Sequence, residues 1–313
     1  MDTTTKKPRV AVVGAGAVGG YFGGMLTRSG ISVVMIGRPS FVEAVQSSGL
    51  FLDSFRFQEK IHPQATTELS AAADADVVLF CVKTRDTAST SKQLAEVLNP
   101  NTAVISMQNG VNNADEIRSA SGIDAVSAVV YVAASVPTPG TVKHLGRGDL
   151  VIGPNNQKAA AIADMFASAS VSCRISDNIE GELWTKFIWN CALNAMSALG
   201  RVTYGEIIAS SDARQLVEAA VHETLNVARA KGIHPPGLED PQAAIAGSFK
   251  IAEQMIGTRS STAQDLARGK HTEIDSLNGY VARLGAQLGV STPVNHTLYT
   301  LVKLYENGFT LNK

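Results

Sequence analysis

The sequence predicts an α/β chain: a doubly wound, mostly parallel sheet over residues 1–177, followed by a mostly α-helical domain over residues 178–313. Three observations predict it. Short Val/Ile/Leu-rich runs alternate with helix-period segments through the first half, as expected for strands buried on both faces of a parallel sheet. A Gly-x-Gly-x-x-Gly run at residues 14–19 directly follows the first of these runs. From about residue 179 onward the β-branched runs stop and long helical patterns take over.

The elements follow in order. Residues 9–13 read as a strand, 17–29 as a helix stopped at Gly30, and 32–36 as a second strand. Further buried strands are expected at 76–82, 103–107 and 125–130. Residues 50–59 and 141–152 are less regular and read as antiparallel additions or hairpins. In the second half, 182–199, 212–231, 241–256 and 272–288 read as helices, with another at 298–306. No Pro/Ser-rich linker separates the halves, and the boundary is expected near Asp177.

Composition removes several function classes. The 313 residues carry 27 Lys plus Arg against 28 Asp plus Glu. That balance is not the electrostatic footprint of a nucleic-acid binder. No apolar run approaches the ~18 residues of a membrane span, and the apolar stretch after the polar start is too short for a signal segment. The expectation is a cytoplasmic protein. Cys81, Cys173 and Cys191 are too far apart to form a disulfide framework or a metal site, and the six His residues show no metal spacing. No metal is expected.

The glycine run has a specific physical logic. Gly14 permits the tight turn, Gly16 lets the backbone approach a pyrophosphate, and Gly19 lets the helix lie close to the strand. Ala15, Ala17 and Val18 complete the turn, and the helix N-terminus offers N–H groups to phosphates. Together with the flanking strands this predicts a dinucleotide-binding domain of Rossmann type. An NAD site places an acid at the end of the second strand for the ribose 2′-hydroxyl. Here no acid occurs between Asp2 and Glu43, and Arg38 stands at that strand end with Ser40 close by. A guanidinium suits a 2′-phosphate, so the cofactor expected is NADPH.

The second candidate region lies on one helix. Lys186, Asn190 and Asn194 are spaced i, i+4, i+8 and share a face among apolar neighbours. Buried polar groups need partners, and two Asn are poor helix formers. The stripe therefore reads as a site wall with Lys186 as its ionisable group. Farther on, Ser260-Ser261-Thr-Ala-Gln264-Asp265 precedes Lys270-His271-Thr272-Glu273-Ile274-Asp275. Taken alone, Ser261 with Gln264 also has the spacing of a helix cap, and Glu273 also reads as an early-helix acid.

Residues 14–19, Cys81-Val82-Lys83-Thr84, Gln108-Asn109-Gly110, the Lys186–Asn190–Asn194 ladder and the Ser260–Asp275 region occur in the order of a known family. Over nearly its full length the chain resembles ketopantoate reductase (2-dehydropantoate 2-reductase). The resemblance implies NADPH-dependent reduction of ketopantoate to pantoate, toward pantothenate and coenzyme A. It implies Lys186 as catalytic general acid with Glu273 as helper. Asn190, Asn194 and Ser261 become substrate ligands, and Lys83 and Asn109 hold the cofactor or the reacting centre. Arg38 becomes the 2′-phosphate ligand. Partners implied are a small-molecule 2-oxo acid, with no nucleic acid and no membrane, in a monomer or homodimer. One position departs: Tyr204 stands where the family pattern has an Asn, and a phenol cannot copy an amide's paired donor and acceptor. Reduction of another 2-oxo acid or an imine on the same fold, and a non-catalytic NADPH sensor, remain the alternatives.

Overall fold

The structure is a computed structural model that describes residues 7–311. Residues 1–6 of the expected first domain, and 312–313 of the second, lie outside the described residues. The chain divides into two compact units, Met1–Ile179 and Glu180–Lys313.

In the first unit β1 (Arg9–Val13) leads through α1 (Ala17–Arg28) to β2 (Ser32–Ile36) and α2 (Pro39–Ser48). A hairpin of β3 (Leu50–Ser54) and β4 (Phe57–Ile61) follows, then β5 (Gln64–Thr66), β6 (Val77–Phe80) and α3 (Thr87–Ala95). The unit continues with β7 (Ala103–Ser106), α4 (Asn113–Ser121), β8 (Val126–Ser135), β9 (Thr141–Gly153), α5 (Gln157–Ser168) and β10 (Cys173–Ile175). The sheet order is β4-β3-β9-β8-β7-β6-β1-β2-β5, with β10 on β9. From β8 to β5 every pairing is parallel.

Strand alternation sorts the core into two layers. Val10 and Val12 face Phe22 and Leu26 of α1 and Phe166 of α5, whereas Ala11 and Val13 face Leu94 of α3 and Ile117 of α4. Both faces of β1 are covered, so its run carries no polar alternation. One expectation needs correction. Residues 141–152 do pair antiparallel with β8, but parallel with β3. A parallel partner needs a long crossover, and no local pattern in β9 records it.

The second unit is helical: α6 (Ile179–Gly200), which starts on the last residue of the first unit, then α7 (Tyr204–Ala209), α8 (Ser211–Ala230), α9 (Pro241–Gln254), α10 (Ser261–Ala267), α11 (Asn278–Leu288) and α12 (Pro293–Leu311). Helix α6 is its centre. Ile188, Ala192 and Leu193 pack with Val221 of α8 and Phe249 of α9. Ala195 packs with Ile274, Leu298 and Val302, and Ala198 with Ala263 and Leu266. A helix enclosed on so many sides is apolar nearly all round, which is why its few polar residues stand out.

The single helix expected over 272–288 is broken. A 3₁₀ turn, Ile274–Ser276, ends at Leu277 with φ −108° and ψ −110° before α11 begins. Side chains take over the backbone groups there. Glu306 accepts from Thr272 N at 2.6 Å, Ser276 Oγ donates to the Glu273 carbonyl at 2.9 Å, and Asn278 Nδ2 donates to the Cys191 carbonyl at 2.9 Å. The expected helix at 298–306 is longer, starting at Pro293. Its N-terminus is held by the Glu223 carboxylate, which accepts from Val294 N and Asn295 N at 2.8 and 2.9 Å, a charge placement that the helix dipole favours.

Phe166 is fully buried and meets Phe22 edge-on at a centroid distance of 5.9 Å. Phe166→Ala should lower the unfolding free energy by about 3–5 kcal/mol, read from urea denaturation. A loss near zero would mean that α5 contributes no core.

Candidate active site

On the first unit the candidate residues line up by topology. Gly14, Arg38, Lys83 and Asn109 follow β1, β2, β6 and β7 respectively, four neighbours in the order β7-β6-β1-β2. All sit at the C-terminal ends of parallel strands, where such sheets bind ligands.

The glycine turn shows why each position is glycine. Gly14 has φ +99°, and a Cβ there would lie 2.7 Å from the Cys81 carbonyl carbon and Val82 N. A Cβ on Gly19 would lie 2.4 Å from the Gly14 carbonyl oxygen. A Cβ on Gly16 would meet nothing within 4 Å. The first two glycines are demanded by the protein itself. The third borders open space at the start of α1, whose N-terminus has no side-chain cap. Open space against uncapped N–H groups is what an incoming phosphate requires. Arg38 is exposed at the α2 N-cap, and among the described residues it makes no ion pair. These residues fit a phosphorylated dinucleotide.

The Gln108-Asn109-Gly110 turn is tied in place. Gln108 is buried; its Nε2 donates to the Val82 carbonyl and to Thr87 Oγ1 at 3.1 and 2.7 Å, and its Oε1 accepts from Ser106 Oγ at 3.1 Å. The Asn109 carbonyl accepts from Asn113 Nδ2 at 2.7 Å and from Thr84 Oγ1 at 3.4 Å, next to exposed Lys83. Asn112 Oδ1 and Asn113 Oδ1 are buried with no partner. Two acceptors left open beside this turn are an unusual cost.

On the second unit α6 carries Lys186, Asn190 and Asn194. The first two are half-buried, whereas Asn194 is only 3% exposed. Asn194 Nδ2 donates to Asn190 Oδ1 at 3.3 Å, and Tyr204 Oη donates to Asn194 Oδ1 at 2.8 Å. Both ends of the Asn194 amide are therefore engaged inside the protein. Tyr204 lies in the helical core, and burial pushes its phenol above the ordinary value. The sequence marks the departure at 204, whereas this hydrogen bond joins residues that no local pattern links.

The serine pair divides by one residue. Ser260, buried, is the N-cap of α10: its Oγ accepts from Ala263 N at 3.0 Å and donates to the Asn194 carbonyl at 2.9 Å. Its N–H donates to Ser197 Oγ at 3.1 Å. The capping role therefore belongs to Ser260, and Ser261 is exposed on the first turn of α10. Glu273 is half-buried at the head of the 3₁₀ turn. That turn is docked on α6 through Ile274 against Ala195.

Other chemistries find little support. Burial pushes the Cys81 and Cys191 thiols well up and that of Cys173 to about 12, so none offers a thiolate near neutral pH. Among the described residues no His/Cys/Asp/Glu group could hold a metal, and no helix is long and apolar enough to cross a membrane.

Two family models match the chain: ketopantoate reductase PanE/ApbA over residues 10–157, and the C-terminal model of the same family over residues 178–306. The chain belongs to the ketopantoate reductase family. Similar proteins include the 2-dehydropantoate 2-reductase of Halobacterium salinarum, 30% identical and covering 95% of this chain and 98% of its own. The structure of a PanE/ApbA family ketopantoate reductase from Ralstonia eutropha is 44% identical, with TM-score 0.91, covering 96% of this chain and 99% of its own. A D-mandelate dehydrogenase complex with NADH and anilino(oxo)acetate is 26% identical, with TM-score 0.88 and the same coverage. As in these relatives, the ketopantoate reductase fold joins a nucleotide-type sheet to a helical region.

The glycine geometry separates two kinds of defect. Gly19→Ala should destabilise the fold by about 1–3 kcal/mol through overpacking. Gly16→Ala should leave the melting temperature unchanged and weaken dinucleotide binding about 10-fold or more. Equal effects of the two substitutions on stability would contradict this division.

Proposed function

We propose that this chain reduces 2-dehydropantoate (ketopantoate) to pantoate with NADPH, a step toward pantothenate and coenzyme A. The observation that carries the proposal is the ammonium-and-amide ladder on α6, in a chain whose full-length relatives include 2-dehydropantoate 2-reductases. We place the protein in the cytoplasm as a monomer or homodimer.

NADPH, when bound, supplies the hydride for the carbonyl carbon. Gly14, Ala15, Gly16, Ala17, Val18 and Gly19 would hold its pyrophosphate, Arg38 its 2′-phosphate, and Lys83 and Asn109 the end nearer the reacting centre. As the carbonyl carbon is reduced, negative charge grows on its oxygen. The Lys186 ammonium stabilises that charge and gives the oxygen a proton, which completes the alcohol; solvent then reprotonates the amine. Glu273 holds the ammonium or the substrate hydroxyl. Asn190 and Ser261 bind substrate oxygens as neutral donors. Asn194, with its amide already engaged, acts on substrate through Asn190.

A second reading has its own support. A D-mandelate dehydrogenase relative, solved with NADH and anilino(oxo)acetate, favours a bulkier 2-oxo acid. Following NADPH absorbance across a panel of 2-oxo acids tests both readings. The proposal expects the highest kcat/KM with ketopantoate; a clear preference for an aromatic 2-oxo acid would install the second reading.

Arg38→Ala should weaken NADPH binding roughly 10- to 150-fold, the value of a charge-assisted hydrogen bond of ~1.5–3 kcal/mol, with NADH binding almost unchanged. Equal losses for both nucleotides would remove the 2′-phosphate role. Lys186→Ala should lower kcat by about 10²–10⁴ while NADPH still binds. A variant with wild-type kcat would take Lys186 off the catalytic list.

A further inference from the structure

Asn190 is the polar residue of the α6 ladder whose amide is only partly engaged. Its Oδ1 accepts from Asn194 Nδ2 at 3.3 Å, and its own Nδ2 has no partner among the described residues. An isolated asparagine can turn either end of its amide toward a ligand, since oxygen and nitrogen have nearly the same shape. Here the choice is passed along a chain of three side chains.

The chain starts at Tyr204. Its ring packs with Ile188, Ala192, Leu193 and Ile207, and its single hydroxyl hydrogen goes to Asn194 Oδ1 at 2.8 Å. Nothing else polar is bonded to that hydroxyl among the described residues. Turning the Asn194 amide around would set Nδ2 against the phenol oxygen and leave the phenol hydrogen buried without an acceptor, a cost of about 1–3 kcal/mol. The turned amide would also set Oδ1 of Asn194 against Oδ1 of Asn190. Tyr204 thus locks Asn194 with its nitrogen toward Asn190, and Asn194 locks Asn190 with its oxygen inward. Burial raises the phenol's ionisation above the ordinary range, so the donor persists through neutral and mildly alkaline pH.

We propose that Tyr204 is a positioning residue that sets the polarity of the α6 wall: through Asn194 it turns Asn190 Nδ2 toward the ligand, so that the wall presents an N–H donor to a substrate oxygen, such as the carboxylate or carbonyl of a 2-oxo acid. The substrate class rests on the reading above; the amide relay does not. The Ser260 hydroxyl, bonded to the Asn194 carbonyl at 2.9 Å, and the Ala192 and Leu193 packing hold the α6 backbone at this point, so the relay works through side-chain orientation alone.

A double-mutant cycle of Tyr204→Phe and Asn190→Ala tests it. Phenylalanine keeps the ring in the core, and melting temperatures verify folding. In the wild-type background Tyr204→Phe should raise KM for the best 2-oxo acid roughly 3- to 10-fold, one neutral hydrogen bond's worth, with kcat changed by less than about twofold and NADPH affinity unchanged. In the Asn190→Ala background the same substitution should leave KM within about twofold. Additive KM changes overturn the proposal, because a merely structural phenol acts alike in both backgrounds. Hydrogen exchange of the Asn194 side-chain amide, followed by NMR on protein labelled with 15N-asparagine, supplies a readout free of substrate. It should quicken about 10-fold or more in Tyr204→Phe, and an unmoved rate overturns the relay. If the wild type turns over no 2-oxo acid, the proposed function fails, and the exchange measurement still decides the relay.

Discussion

The close approach of α1 to the start of its own turn governs the nucleotide side of this molecule. At Gly19 the helix comes so near the Gly14 carbonyl that a Cβ would sit 2.4 Å from it. That contact sets where α1 begins, and so where its uncapped N-terminus opens. It also seats the turn against Cys81 and Val82, the residues that follow β6. From there the order of strands does the remaining work. Arg38, Gly14, Lys83 and Asn109 share one edge of the sheet because β2, β1, β6 and β7 are parallel neighbours, and parallel strands bring all their C-terminal loops to one side.

The helical unit applies the opposite economy. Helix α6 is buried against α8, α9, the 3₁₀ turn and α10, which leaves few places for a polar side chain. Those it carries are joined to one another or to its neighbours. Asn194 is engaged from three directions: by Tyr204 and Asn190 at its amide and by Ser260 at its backbone. A buried amide whose two ends are both engaged, as those of Asn194 are, specifies one arrangement of side chains. The cost of breaking it is what gives the wall a defined polarity.

Much of this was legible in the sequence because the relevant constraints are local. The roles of Gly14, Gly16 and Gly19 follow from spacing within one turn, the Lys186–Asn190–Asn194 face from helical periodicity, and the absent acid near Arg38 from a short stretch of chain. What escaped depends on distant groups. Whether Ser260 or Ser261 caps α10 is decided by the carbonyl of Asn194 and the hydroxyl of Ser197, neither nearby in sequence. The break at Leu277 depends on Glu306 and on the Cys191 carbonyl. The parallel partner of β9 is β3, some 90 residues earlier. One missed element was within reach: Thr203 with Glu206 has capping-box spacing, and it opens α7 and orients Tyr204 at that helix's first position.

The proposed reduction requires that reducing equivalents pass directly from the nicotinamide to the carbonyl carbon of a 2-oxo acid on this chain. Isotope transfer tests it most directly. The enzyme is given ketopantoate with NADPH carrying deuterium at one or the other face of C4, and the product is analysed by mass spectrometry. One deuterium at C2 of the 2-hydroxy acid is expected from one labelled face and none from the other. Product free of deuterium from both cofactors, or NADPH consumed with no 2-hydroxy acid formed, would contradict it.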